Sequence, residues 1–332
     1  MTNIRTVAKI AGVSVATVSR ALSTPDVVSD KTRDKVQVAI KEAGYKPNMM
    51  ARNFRAKKSY ALLVLVPDIA NPFFSRVISG IEEAAQKRGY SVLLGNTRGC
   101  LDREREYTKM VDSLQADGII QLSARYPLDK VVPVQELPIV NICECFNLPQ
   151  IPQIELDNHG AAKALVKHLI ELGHQRISVI KGPDDSPLTA SRLSGYCAAL
   201  EEANIGFDEK LVVDGDFTMA SGHSAVEKLL ARRERPTALF CFNDEMAIGA
   251  IKSIKSLGFN VPEDISVAGF DDIAYANYCD PPLTTIEQPA ELFGKQAVET
   301  LCDIINGKAF STEKSTLSFE LIVRQSTSKI TI

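Results

Sequence analysis

Val15, Ala16, Thr17, Ser19 and Arg20 fall on the outer side of one short predicted helix that starts behind Ser14. Together they offer small apolar groups, hydroxyls and one guanidinium to whatever meets that face. The surrounding charge says what could meet it. Residues 1–60 carry 12 Lys+Arg against 4 Asp+Glu, and the rest of the chain carries 26 against 37. The formal net charge of −3 therefore hides a basic head on an acidic body. Such asymmetry is the footprint of a nucleic-acid module, because neutralising phosphates releases counterions. Reaction chemistry has no comparable signal. The sequence holds no GxGxxG, Walker loop, HExxH or GxSxG arrangement, so no enzymatic activity and no cofactor is expected. Its four histidines, His159, His168, His174 and His223, sit in helical patterns and read as solvated or capping side chains. Seven cysteines, scattered from Cys100 to Cys302, give no disulfide framework, and Cys143 and Cys145 lack a partner pair at zinc spacing.

Three helices must position the basic face. Asn3 can cap the first, whose inward residues would be Ile4, Val7, Ala8 and Ala11. Gly12 supplies the permissive backbone of a tight turn and Val13 plugs the space between helices. Ser14 caps the second, with Val18, Ala21 and Leu22 inward. Ser29 caps a third that buries Thr32, Val36, Ala39, Ile40 and Ala43 and stops at Gly44. This is a helix-turn-helix of a size that a major groove accepts. Pro47 then breaks the pattern, and Asn48 can cap a further short helix from 49 to about 55, too short to stand alone in water.

From Tyr60 the texture changes to strand–helix units. Continuous apolar runs at 61–67, 91–96, 117–122 and 138–143 read as parallel strands covered on both faces, the last after a short helix. Helices are expected from about 73 to 88 and 102 to 115. After Asp157 the pattern restarts, with strands at 176–182, 211–214, 237–242 and 264–270. Helices are expected between them at about 159–172, 190–204, 219–230 and 244–257. Gly89, Gly173 and Gly258 each read as a left-handed helix end. A helix from 290 to about 306 and a strand in 317–327 imply that the chain crosses back between two lobes. The architecture expected is a small all-α headpiece plus hinge helix, followed by an α/β core of two doubly wound parallel-sheet lobes with a ligand cleft between them. No apolar run approaches the ~20 residues of a membrane span, and no apolar segment precedes a cleavage site. A cytoplasmic protein with no membrane partner is expected.

These stretches together resemble the LacI/GalR-type transcriptional regulators over essentially the whole chain. The resemblance is carried by VAKIAGVSVATVSRAL, KTRDKVQVAIKEAGYKPN, NPFFSRVISGIEEAA, GFDD (269–272) and DPPLTTIEQP (280–289). Within the family, PDIANPFFS, PLTASRLSGY, GDFT and CDPPLTTI are most similar to the cytidine-responsive branch. The family implies a headpiece (1–47), a hinge helix and linker (48–59), and a periplasmic-binding-protein-like core (60–332) that dimerises. Its lobes would comprise about 60–157 with 288–316, and 158–287 with 317–332. It implies a homodimer on a palindromic double-stranded DNA operator, controlled by a small-molecule effector. The branch further implies a nucleoside effector that releases the DNA, and cooperation with the cyclic-AMP receptor protein.

By position, Val15, Ala16 and Arg20 match the family's base readers. An Arg can bridge a guanine, and small apolar groups can touch thymine methyls. Thr6, Ser14, Thr17, Ser19 and Asn48 match contacts to phosphate or sugar, although Thr6 equally fits an exposed helix residue. Ala51 lies on the hinge helix, where Phe54 stands in place of the leucine that the family wedges into the minor groove. In the core, Phe73, Phe74 and Phe217 match positions that stack on a flat ligand, although such residues are more often core. Asp68 and Asn71 lie just beyond the first strand's carboxyl end, where open α/β sheets bind ligands. Arg192 and Asp271 match a charged pair that holds ligand polar groups. Asp157, Asn243 and Gln288 are cleft candidates that also fit helix caps or crossover loops. Ser186-Pro187-Leu188 replaces an Arg and a Thr of purine-binding relatives, which favours a pyrimidine nucleoside. A sugar or purine sensor, or a solute-binding protein without DNA function, is the alternative.

Overall fold

The computed structural model describes residues 3–23, 25–45, 58–128, 130, 132–145 and 148–330. The chain divides into two units, Met1–Tyr60 and Ala61–Ile332. The expected hinge helix, with Asn48, Ala51 and Phe54, lies outside the described residues.

The first unit is built from α1 (Ile4–Ala11), α2 (Val15–Ser23) and α3 (Asp30–Ala43). Asn3 caps α1 by accepting from the Arg5 and Thr6 amides. Gly12 ends α1 at φ 66°, and Val13 N donates back to Ala8 O at 3.1 Å. The left-handed conformation favours glycine because it carries no Cβ to clash. Val7, Ala8, Val18, Ala21, Val36 and Ala39 form the core, with Ile4, Ala11, Val13, Leu22, Ile40, Ala43 and Tyr45 packed around it. One expectation is corrected. Ser29 stands at the N-cap of α3 but bonds no helix amide, because its hydroxyl pairs with the Thr32 hydroxyl at 3.0 Å.

In the second unit a six-stranded sheet has the order β11-β5-β4-β3-β1-β2, with all its pairings parallel. Its strands are β1 (Ala61–Val66), β2 (Ser91–Asn96), β3 (Gly118–Gln121), β4 (Ile139–Ile142), β5 (Gln153–Leu156) and β11 (Ser315–Leu317). Every residue of β1, β3 and β4 is buried, as continuous apolar runs require. Helices α4 (Pro72–Lys87), α5 (Leu101–Asp112) and α10 (Ala290–Ile305) pack on this sheet. The short helix expected before β4 is instead a turn at 134–136, where Glu136 N and Leu137 N both donate to Pro133 O.

A four-stranded parallel sheet, order β7-β6-β8-β9, carries the other lobe. It comprises β6 (Ile177–Lys181), β7 (Val212–Asp214), β8 (Ala238–Cys241) and β9 (Ser266–Ala268). Its helices are α6 (Asn158–Glu171), α7 (Pro187–Glu202), α8 (Met219–Leu230) and α9 (Asp244–Ser256). An antiparallel pair, β10 (Thr285–Glu287) with β12 (Glu320–Ile322), completes it. The strand expected in 317–327 is the short β12, and β11, just before it in the chain, belongs to the other sheet. The chain passes between lobes three times: at Asp157, at Gln288 and Pro289, and at 318–319.

Helix pairs approach through glycines. A Cβ on Gly80 of α4 would lie 2.4 Å from Glu291 O, and one on Gly249 of α9 would lie 2.0 Å from Met219 O. Gly195 of α7 meets His159 O in the same way, at 2.2 Å. Backbone therefore touches backbone in both lobes, and any side chain at these points would force the helices apart.

Candidate functional site

On the headpiece, α2 turns Val18 and Ala21 inward and leaves Val15 (41% exposed), Ala16 and Arg20 on the surface. Ser14 Oγ accepts from Thr17 N at 3.0 Å and pairs with Thr17 Oγ1 at 2.9 Å, so the predicted cap also orients a second hydroxyl. Ser19 is half-buried on the same helix. Thr6 lies on α1, exposed, with its hydroxyl donating to Asn3 Oδ1 at 3.3 Å.

In the second unit, Asp68, Asn71, Phe73, Phe74, Arg192, Phe217, Asn243, Asp271 and Gln288 line a single cavity of about 220 Å³ between the lobes. Most lie just past the carboxyl end of a strand: β1 delivers Asp68 and Asn71, β7 Phe217, β8 Asn243 and β9 Asp271. That is where open parallel sheets leave room for a ligand. Asp157 is not on this lining. Its carboxylate caps α6, accepting from Gly160 N at 2.8 Å, and borders a neighbouring pocket with Cys145 and Glu155. Leu188, singled out with Ser186 and Pro187, is on the lining as well, and sequence reasoning missed Pro67, Cys143, Glu144, Asp216, Thr218 and Glu245, which complete it. The strand-end rule finds several of them when applied to β4 and β7 as well as β1.

Arg192 is 2% exposed and organises the cavity floor. Its Nε donates to Asn158 Oδ1 at 2.9 Å, one terminal nitrogen donates to Phe242 O, and the other stands 3.9 Å from Asp271 Oδ1. Its guanidinium carbon lies 3.6 Å from the centroid of the Phe270 ring, a cation–π contact. Burial lowers its pKa to about 10, against the pull of Asp271, so it stays charged at neutral pH. Gln288 Nε2 donates to Asp271 Oδ1 at 2.6 Å. Burial raises Asp271 to about 7, the nearby Arg192 and the Gln288 bond opposing it. Cys143, Phe217 and Asp271 all sit at positive φ (66°, 66° and 116°), a conformation costing non-glycine residues of order 1–3 kcal/mol. Phe217 is pressed onto Gly182, where a Cβ would lie 2.1 Å from the ring.

Contacts across the lobes frame the cavity. Asn71 Nδ2 donates to Glu245 Oε2 at 3.3 Å, Ser186 Oγ to Glu144 Oε1 at 2.9 Å, and Arg76 to Asp272 O at 3.1 Å. Burial raises the carboxyls of Glu144 and Glu245 above their usual range. The thiol of Cys145 is pushed up to about 12 by burial and is a poor nucleophile at neutral pH. His174 departs from expectation. It is buried, its ring nitrogens within 3.1 Å of Thr237 Oγ1, Ser266 Oγ and Ser328 O, and burial lowers its pKa.

Asp244, the first residue of α9, is fully buried and accepts from Thr285 Oγ1 at 2.6 Å and Ile273 N at 2.9 Å. Burial first, and Asp271 next, raise its pKa well above 3.8. A carboxyl whose folded pKa exceeds its unfolded value takes up a proton on folding. It therefore costs stability as pH rises through that interval, by up to about 1.4 kcal/mol per pH unit. Wild-type stability is expected to fall between about pH 4 and neutrality, where Asp271 contributes as well. Asp244→Asn should flatten the slope in urea titrations from pH 5 to 8; curves parallel to wild type would refute the assignment.

Residues 3–48 match the bacterial regulatory proteins of the lacI family, and residues 166–327 match a periplasmic binding protein-like domain. The chain is 42% identical over 323 residues to the HTH-type transcriptional repressor CytR of Escherichia coli (strain K12), covering 97% of this chain and 95% of that protein. It is 35% identical over 333 residues to the HTH-type transcriptional repressor PurR of Aliivibrio salmonicida (strain LFI1238), covering 99% and 100%. Among solved structures it is similar to the lac repressor dimer bound to operator and the anti-inducer ONPF. There the TM-score is 0.85 at 31% identity, over 97% of this chain and 98% of that one. The transcriptional regulator CelR–cellobiose complex gives a TM-score of 0.73 at 32% identity, over 98% and 99%. The chain belongs to the LacI family of bacterial regulatory proteins. It is a transcriptional repressor with a ligand-binding domain, and the repressors it resembles are not enzymes.

Proposed function

We propose that this repressor holds a palindromic operator as a dimer and releases it when a pyrimidine nucleoside, cytidine above all, fills the cavity between its lobes. The observation that carries the reading is the lining itself, with aromatic surfaces at Phe217, Phe73 and Phe74 beside a buried cluster of Arg192, Asp271 and Gln288. A ring stacks on the first, and ribose or base polar atoms bond to the second. At about 220 Å³ the cavity is smaller than the roughly 300–1,000 Å³ of drug-sized pockets, which suits one nucleoside or monosaccharide. Apolar Leu188 stands on the lining where purine-binding relatives carry polar groups, and the similarity to CytR adds weight.

In this reading residues 1–47 read DNA, 48–59 form the hinge and 60–332 sense the ligand and dimerise. Val15, Ala16 and Arg20 meet base edges, while Thr6, Ser14, Thr17 and Ser19 fix register on the backbone. Asn48, Ala51 and Phe54 act at the minor groove between the half-sites. Ligand binding favours one lobe arrangement, and DNA affinity shifts through that linked equilibrium. A protein that reads DNA in this way works in the cytoplasm.

The test is operator binding by the full chain, followed by fluorescence anisotropy against cytidine, uridine, purines and sugars. Release by cytidine supports the proposal; release by a sugar alone overturns the nucleoside assignment. Ala16→Gln is expected to change base preference at one operator position by about 1–3 kcal/mol while leaving the salt slope in place. A uniform loss across operator variants would remove Ala16 from the base readers.

A further inference from the structure

Glu245 is the second residue of α9 and stands half-buried on the cavity lining. Its Oε2 accepts from Asn71 Nδ2 of the facing lobe at 3.3 Å. The other end of that amide is already committed, since Asn71 Oδ1 accepts from Phe73 N at 2.9 Å and Phe74 N at 3.3 Å. The amide cannot reverse without losing both bonds. Two residues before Glu245, Asn243 Nδ2 holds the carbonyl of Phe217 at 2.9 Å. Glu245 is thus tied to the helix that carries Phe73 and Phe74, while Asn243, two residues before it, holds the loop that carries Phe217. Glu245 shares one cavity lining with all three phenyl rings.

We propose that Glu245 reads the amino-bearing edge of the nucleoside's base and is the residue that separates cytidine from uridine. The inference rests on the nucleoside reading above. Cytosine presents an N4 amino donor beside N3, a ring nitrogen whose basicity is close to that of a carboxylate. Uracil presents O4, which is scarcely basic, beside an N3–H. A carboxyl holding one proton can share it with cytosine N3 while its other oxygen accepts from N4. Uracil can pair with the same carboxyl only through O4 and N3–H, neutral groups that take no share of its proton, so that pairing lacks the charge-assisted bond. The surroundings favour the proton-holding form. Burial raises Glu245, and Asp68 from the loop after β1 raises it further. The other charged groups on the lining are Glu144, Asp216, Asp271 and Arg192, and Arg192 is already committed to Asp271, Asn158 and the Phe242 carbonyl. No other cation stands on the lining among the described residues to hold Glu245 ionised.

The experiment is calorimetry of cytidine and uridine on the full-length protein at pH 6 to 8, in buffers of different ionisation enthalpy. The wild type is expected to prefer cytidine by about ten- to hundredfold, the worth of one charge-assisted hydrogen bond. It should take up protons on binding, with affinity falling as pH rises. Glu245→Gln keeps a donor and an acceptor of the same shape but shares no proton, and its amide can face either base. The variant should still bind cytidine, lose the proton uptake, and bring the cytidine-to-uridine ratio towards one. An unchanged ratio and pH profile in Glu245→Gln overturns the role of Glu245 and leaves the nucleoside reading standing. Wild-type protein that binds neither nucleoside overturns both. A wild type that binds cytidine without taking up protons overturns the proposal without any variant, so a misfolded mutant does not shield it.

Discussion

If the cavity takes cytidine as proposed, Arg192→Ala is expected to weaken that binding by at least about 100-fold and to leave the operator complex unresponsive to it, because removing one partner of a buried charge network costs about 3–5 kcal/mol. Asn158 Oδ1 and the Phe242 carbonyl lose their donor, and Asp271 loses the cation 3.9 Å away while keeping its bond from Gln288. Asp271 can absorb part of the loss. Its pKa already stands near 7, and without the guanidinium it rises further and keeps a proton. The variant should therefore be most destabilised above neutral pH, where that proton is hardest to hold. Arg192→Lys separates charge from shape. It restores a cation but lacks the planar fork that serves several acceptors together, so it should recover stability better than ligand response. The check is calorimetry with cytidine alongside urea denaturation at pH 6 and 8. Wild-type ligand response in Arg192→Ala would remove Arg192 from the site.

Gly249→Val is expected to cost about 3 kcal/mol or more, at the upper end of what overpacking does, because the obstacle is main chain. The new Cβ would meet Met219 O at 2.0 Å, Met219 C at 2.8 Å and His223 N at 3.1 Å, none of which can rotate away. The helices α8 and α9 must separate, and Asn243 and Glu245, which line the cavity at the start of α9, must move with them. Loss of stability and loss of ligand affinity should therefore appear together. Gly206→Ala is the control, since nothing lies within 4 Å of its added Cβ and its φ is not positive. It should leave the urea midpoint unchanged or raise stability by about 0.4–1 kcal/mol through the unfolded chain. Equal midpoints for the two variants would show that the helix contact is softer than its geometry implies.

Much of the fold was legible because its signals are local. Strands buried on both faces must be apolar throughout, and β1 is Ala-Leu-Leu-Val-Leu-Val. Gly89, Gly173 and Gly258 do end helices at φ of 75°, 96° and 86°. β5 escaped notice because Gln153 and Glu155 interrupt its apolar pattern. Gln153 is nevertheless buried, its amide donating to Leu148 O at 2.8 Å, a partner that only the folded loop supplies. The candidate cleft shows the same division. Asp157 and Asp271 are both carboxylate candidates for the cleft, and in the fold each lies just beyond a strand. One is spent on a helix cap while the other meets Arg192, and that difference depends on which lobe each faces. Glu144, Asp216 and Glu245 carry no sequence signal of their own, and only the fold brings them onto one lining.

The three passages between lobes also set an order of assembly on the ribosome. The helix-turn-helix draws its contacts from within about forty neighbouring residues and can fold as soon as it emerges. The six-stranded lobe cannot close so early. Its helix α10 and edge strand β11 come from Ala290–Ile305 and Ser315–Leu317, after the whole of the other sheet has been made. Until then the flank of β5 that β11 will pair stays open, and so does the face of α4 against which Glu291 and Gly294 will lie. The helix-turn-helix can thus be folded while the ligand-binding lobe is still half-built, so chaperones that shield the nascent chain would chiefly guard that lobe.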